Sequence, residues 1–120
     1  MPESFKKLVA WQRALQLTVE VYRLTSSFPE SERFGLTNQL RRAAVSVGSN
    51  IAEGYGRTSR GEYIQFLGHA RGSFYEVETQ LAITRELGFG TKESIEITEQ
   101  LCVEVGKMLA TMIVSLRKKS

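Results

Sequence analysis

From Val9 to Ser26, apolar residues return every third or fourth position, the period of an α-helix rather than the alternation of a strand. They do so on two faces. Leu8, Trp11, Leu15, Val19 and Tyr22 form one stripe, and Ala10, Ala14, Leu17, Val21 and Leu24 form another. A surface helix needs only one stripe, turned to the core. The surplus implies either a helix wrapped by its neighbours or a contact with another subunit. Leu17 and Val21 are the candidate oligomer contacts on it. Phe28-Pro29 closes the segment.

A second helix is predicted over about Phe34 to Glu53, with Leu36, Leu40, Ala43, Val47 and Ile51 inward and Ala44 widening the stripe. Gly54-Tyr55-Gly56 is expected to end it, with glycine in a left-handed cap. Ser59 followed three residues later by Glu62 is the capping-box pattern that opens a third helix. Its seam runs through Tyr63, Phe66/Leu67, Ala70, Phe74, Val77, Leu81 and Thr84 to a stop at Leu87-Gly88. At about 28 residues it is roughly 42 Å long. The fourth helix spans Thr91 to about Lys118 through Ile95, Leu101/Cys102, Val105, Leu109, Met112 and Leu116. Arg117, Lys118 and Lys119 fall at its end, where cations complement the helix dipole, and this placement accounts for them without a ligand. No proline follows Pro29, so nothing interrupts these helices. Long helices on short turns predict an all-α fold, an antiparallel up-down-up-down four-helix bundle that makes residues 1–120 one domain.

Composition narrows the function more than the fold. A chain 42% hydrophobic with a net charge of only +3 is not disordered. The longest apolar run, Met108 to Val114, contains Thr111 and falls far short of the ~20 residues a membrane span needs. No secretory apolar region follows Lys6 and Lys7, so a cytoplasmic location is the expectation. One cysteine, Cys102, and one histidine, His69, supply neither a disulfide framework nor a zinc site, and there is no aspartate for a Ser-His-Asp triad. No nucleophile elbow is present. We therefore expect no catalytic residue, no metal and no cofactor. The run from Gly54 to Gly61 lacks the lysine of a phosphate loop and has Ser59 where a dinucleotide loop has its third glycine. It reads either as a general anion site or as a plain interhelical turn.

The charge is uneven. Residues 31–61 hold five arginines against Glu32 and Glu53, whereas residues 62–90 hold Arg71 and Arg85 against four glutamates. Arg41, Arg42, Arg57 and Arg60 are candidates for phosphate contact, because the guanidinium fork suits phosphate oxygens. A solvated helix surface is the alternative. Arg41 and Arg42 are adjacent and so point about 100° apart on a helix. One of the two is expected to be paired internally, leaving Arg57 and Arg60 to bind. Gln39, Ser46, Asn50 and Glu53 recur beside the apolar face of the second helix and must find partners. Asn50 and Glu53, with Gly54, are expected to be structural, tying that helix end to nearby backbone or to an arginine. Gly68 and Gly72 lie one turn apart in the third helix, at a cost of ~1 kcal/mol each against alanine. That cost points to close approach by another helix, in this chain or a neighbouring subunit, and makes them candidate oligomer contacts.

Longer motifs carry a resemblance. Phe5-Lys6-Lys7-Leu8-Val9-Ala10-Trp11, Phe28-Pro29 with Glu32-Arg33-Phe34-Gly35-Leu36, Gln39-Leu40-Arg41-Arg42-Ala43-Ala44 and above all Ser49-Asn50-Ile51-Ala52-Glu53-Gly54 stand in order. Glu62-Tyr63, Phe66-Leu67, Gly72-Ser73 and Glu78-Thr79-Gln80-Leu81 continue it. Together they resemble the bacterial four-helix-bundle family encoded in intervening sequences of large-subunit (23S) ribosomal RNA genes. Gly48 departs from it, standing where many relatives have proline. The resemblance implies a ring of five copies. It also implies similarity to the accessory variability protein of diversity-generating retroelements, a basic pentamer that works with a reverse transcriptase and RNA. The expected partners are therefore further copies of the chain and either RNA or a nucleic-acid-processing protein. A protein-interaction scaffold without nucleic acid is the alternative.

Overall fold

The first apolar run forms α1 (Val9–Thr25), and the three that follow form α2 (Leu36–Tyr55), α3 (Arg60–Leu87) and α4 (Lys92–Lys118). Short 3-10 turns at Phe5–Lys7 and Glu30–Glu32 precede α1 and α2. The computed structural model describes residues 4–119, and no strand occurs among them. Thr18 of α1 donates to the Ala44 carbonyl of α2 at 3.1 Å, and Ser73 of α3 reaches Ser46 of α2 at 2.9 Å. Gly106 of α4 lies against the Phe74 ring of α3, and Arg85 of α3 meets Glu99 of α4. Between neighbouring helices one residue number rises as the other falls, so every neighbouring pair is antiparallel. α4 closes on α1, and the result is a square up-down-up-down bundle measuring 48 × 20 × 20 Å.

Local chemistry sets the helix ends. Ser59 Oγ accepts from the Glu62 N–H at 3.1 Å, and the Glu62 carboxylate takes the Ser59 hydroxyl at 3.4 Å. Thr91 caps α4 by accepting from the Ser94 N–H at 3.1 Å. α2 begins differently: Gly35 has no side chain to offer, and the Glu32 carboxylate accepts from the Leu36 N–H at 3.1 Å instead. Gly88, at φ 73°, closes α3, and the Phe89 N–H returns to the Thr84 carbonyl.

The end of α2 corrects the sequence expectation. The helix runs on through Gly54 to Tyr55, and Gly56 closes it in the right-handed region at φ −80°. No left-handed cap is needed there. Gly54 is instead where α2 crosses α3: a Cβ at this position would lie 2.8 Å from Phe66 Cβ and 3.3 Å from the Tyr63 carbonyl oxygen.

The two stripes of α1 are also resolved, against the expectation. Leu17 and Val21 are wholly buried, with Ala10, Ala14 and Leu24 beside them, so they belong to the monomer core and are not oligomer contacts. The other stripe faces water over its later part, where Leu15 is 49% exposed and Val19 41%, while Leu8 and Trp11 pack half-buried against the core. Periodicity alone could not choose, since both stripes repeat alike. Ala10 and Ala14 decide it, because small side chains let α1 sit close to its neighbours. Gly68 and Gly72 bring no helix close within the chain; both are exposed, and a Cβ at either would meet nothing within 4 Å.

Candidate nucleic-acid interface

The four arginines singled out in the sequence do not form one site. Arg41 projects from α2 onto α1, where its Nε donates to Thr25 Oγ1 at 2.8 Å and its guanidinium lies 4.5 Å from the Tyr22 ring centroid. Thr25 is itself buried and donates to the Val21 carbonyl at 2.8 Å. Arg41 is thus a tie between two helices. Arg42 points the other way, into a shallow α2–α3 cleft with Gln39, Ser46, Glu76 and Gln80. Arg57 is engaged as well: Nη2 meets the Glu53 carboxylate at 2.7 Å, and the guanidinium sits over the Phe66 ring at 4.5 Å. Arg60, exposed at the start of α3, has no ion pair among the described residues.

Ser46 joins α2 to α3, and Asn50, one turn along α2, braces it. Asn50 Nδ2 donates to the Ser46 carbonyl at 2.9 Å and to Ser46 Oγ at 3.0 Å, and Ser73 donates to the same Oγ at 2.9 Å. Removing the carboxamide leaves the two serines without their third member. Asn50→Ala should cost about 1 kcal/mol and lower the thermal midpoint by roughly 4 °C, read by circular dichroism. An unchanged midpoint would mean that the network contributes nothing to the helix contact.

The topology assembles what the linear sequence scatters. Antiparallel packing brings the start of α1, the α2–α3 turn and the end of α4 to one end of the bundle. Among the described residues, Lys6, Lys7, Arg57, Arg60, Arg117, Lys118 and Lys119 gather there, against Glu53 and Glu62, an excess of five positive charges. The opposite end holds Arg23, Arg33, Arg41, Arg42, Arg85 and Lys92 against Glu20, Glu30, Glu32, Glu86, Glu93, Glu96 and Glu99, an excess of one negative charge. At that acidic end Arg85 grips Glu99 with two hydrogen bonds, at 2.7 and 3.0 Å, and holds its carboxyl below the usual range. Five members of the basic end, Lys6, Lys7, Arg117, Lys118 and Lys119, were not among the candidates read from the sequence. The signal that finds them is the up-down topology combined with their positions near the two ends of the chain.

Aromatic rings accompany the cations. Phe5 and Trp11 meet edge to face at 5.2 Å, Tyr55 and Tyr63 at 6.0 Å, and Phe66 and His69 at 5.6 Å. Burial, and then the neighbouring Tyr55, push the Tyr63 phenol up, so it stays protonated. Cys102 lies in the core, where burial pushes its thiol up to about 12, and a thiol so held is a poor nucleophile. Among the described residues no three His, Cys, Asp or Glu side chains converge on a point that could hold a metal. Among the described residues no helix is long and apolar enough to cross a membrane.

Running back from the basic end, Leu15 on α1 and Val45 on α2, 45% exposed, line an apolar groove with Phe5, Trp11, Thr18 and Gly48. Gly48 leaves room here, since a Cβ would sit 3.7 Å from Ala14 Cβ, an ordinary contact.

Residues 6–111 match the profile of the 23S rRNA-intervening sequence protein family. No curated protein matches the chain. A solved structure of a protein of unknown function from the S23 ribosomal protein family of Bacteroides thetaiotaomicron is similar to it, at 26% identity and a TM-score of 0.78. The similarity covers 88% of this chain and 98% of that one.

Proposed function

Since the chain belongs to the 23S rRNA-intervening sequence protein family, we propose that it is a non-catalytic module that assembles from several copies and binds structured RNA at its basic end. The observation that carries this reading is the gathering of seven lysines and arginines, against two glutamates, at one end of the bundle. Phosphate contacts made there displace counterions from the RNA, so affinity falls as salt rises. Assembly is supported by the apolar surface of Leu15, Val19 and Val45, which the monomer leaves in water. A ring of five is the number implied by the family resemblance. Repetition multiplies a weak site through avidity.

The test is binding of a labelled RNA hairpin, followed by fluorescence anisotropy across about 50–200 mM salt, with an expected log–log slope of roughly −4. Arg60→Ala, Lys118→Ala and Lys119→Ala together should leave the helix content intact, weaken binding at least tenfold at the lowest salt, and flatten the slope by about 2. The exposed Leu15, Val19 and Val45 surface also suits a second reading, a scaffold that docks a protein partner. A wild type that shows no salt-sensitive RNA binding gives that reading the field.

A further inference from the structure

Arg57 is badly placed to be a phosphate ligand. Its charge is already matched by Glu53 at 2.7 Å, and the flexible stem is pinned where the guanidinium lies over Phe66 at 4.5 Å. The same two contacts make it something else. A guanidinium held on one side by a carboxylate and on another by an aromatic ring is a fixed, flat, cationic plate, and 39% of its side chain still faces water. A plate of this kind stacks on the face of a nucleobase. The rotamer freedom that such a contact normally removes is already gone, so stacking carries little further ordering cost. His69, exposed and edge-on to Phe66 at 5.6 Å, flanks the plate. Arg60, three residues along, has no ion pair among the described residues and is free to take the adjoining phosphate.

Resting on the RNA reading above, we propose that Arg57 is a stacking shelf for an unpaired base, and that the basic end therefore selects single-stranded or looped RNA over continuous duplex. In a duplex both faces of every internal base are covered by its neighbours, and the shelf finds nothing to stack on. Phosphates are offered by both kinds of RNA, so the lysines and Arg60 do not discriminate. The selectivity falls to Arg57.

The experiment compares a labelled twelve-nucleotide oligouridine with a blunt twelve-base-pair RNA duplex at one fixed salt concentration. The wild type should bind the single strand several-fold more tightly. Arg57→Lys keeps the charge and a partner for Glu53 but removes the plate. It should weaken oligouridine binding about tenfold, leave duplex binding within about twofold, and leave the salt slope unchanged for both. A merely structural role would weaken both ligands alike, and a phosphate-binding role would change the slope. Equal wild-type affinity for the two RNAs, or equal losses in the variant, overturns the stacking proposal while leaving RNA binding standing. Failure to bind either RNA overturns the binding reading and this proposal with it. Should Arg57→Lys not fold, the wild-type comparison alone decides.

Discussion

Leu17→Glu combined with Val21→Glu is expected to leave an unfolded chain, while Leu15→Glu combined with Val19→Glu leaves a folded one. The two pairs share a helix, a spacing and a chemistry, and differ only in where they point. Leu17 and Val21 are 0% exposed, so the first double variant places two carboxylates in the apolar core. Each uncompensated buried charge costs several kcal/mol, and a domain of this size has only about 5–15 kcal/mol to lose. Far-UV circular dichroism should show the helix signal gone at 25 °C. The second pair sits at 49% and 41% exposure, where glutamate stays hydrated. That protein should keep its helix signal and, on the proposed assembly of several copies, show a smaller mass than the wild type by light scattering after size-exclusion. A Leu17/Val21 variant that folds and merely dissociates would overturn the assignment of this stripe to the core.

Gly54→Ala should destabilise the bundle although alanine is the better helix former. The intrinsic gain is about 1 kcal/mol. Against it, the new methyl would lie 2.8 Å from Phe66 Cβ and 3.3 Å from the Tyr63 carbonyl, atoms on or next to the α3 backbone that no rotamer change can move. The helices must part. Overpacking of this kind costs about 1–3 kcal/mol, and less the propensity gain we expect a net loss near 1 kcal/mol, or a midpoint lower by roughly 4 °C. Gly68→Ala supplies the contrast, because a Cβ there meets nothing within 4 Å and the helix propensity gain stands alone. Its midpoint should rise or hold. If both variants shift in the same direction, close packing is not what requires glycine at residue 54.

These paired cases mark where the sequence was legible. Apolar period and capping residues placed all four helices, because helix formation is governed by residues three and four apart, which a single chain displays directly. Ser59 and Thr91 cap as their residue types predict. What needs a second helix was hidden. Gly54 reads as a helix stop until Phe66 is seen beside it. Leu17 and Leu15 are equivalent until the neighbours of α1 are known. The expectation that one of two adjacent arginines would be paired follows from helix geometry, but that the paired one is Arg41 depends on Thr25 and Tyr22 across the interface. Arg57 was chosen for its charge, and the structure shows that charge already matched by Glu53. The basic end was hidden for another reason: Lys6 and Lys119 stand at opposite ends of the sequence, and only the return of α4 places both at one end of the bundle.

Five surplus positive charges at one end and one negative at the other, on a body 48 Å long, amount to a permanent dipole along the bundle axis. A polyanion therefore exerts a torque on the molecule as well as a pull. It turns the basic end forward before contact, which raises the rate of productive encounter more than it deepens the final complex. The same dipole acts between copies. Bundles set side by side and pointing one way, as in a ring whose axis runs along them, repel each other end for end. Their apolar contacts must exceed that repulsion, and ions screen it within a Debye length of about 8 Å at physiological ionic strength. On the proposed function, salt should loosen the grip on nucleic acid and tighten a ring of copies, two dependences of opposite sign that arise from one distribution of charge.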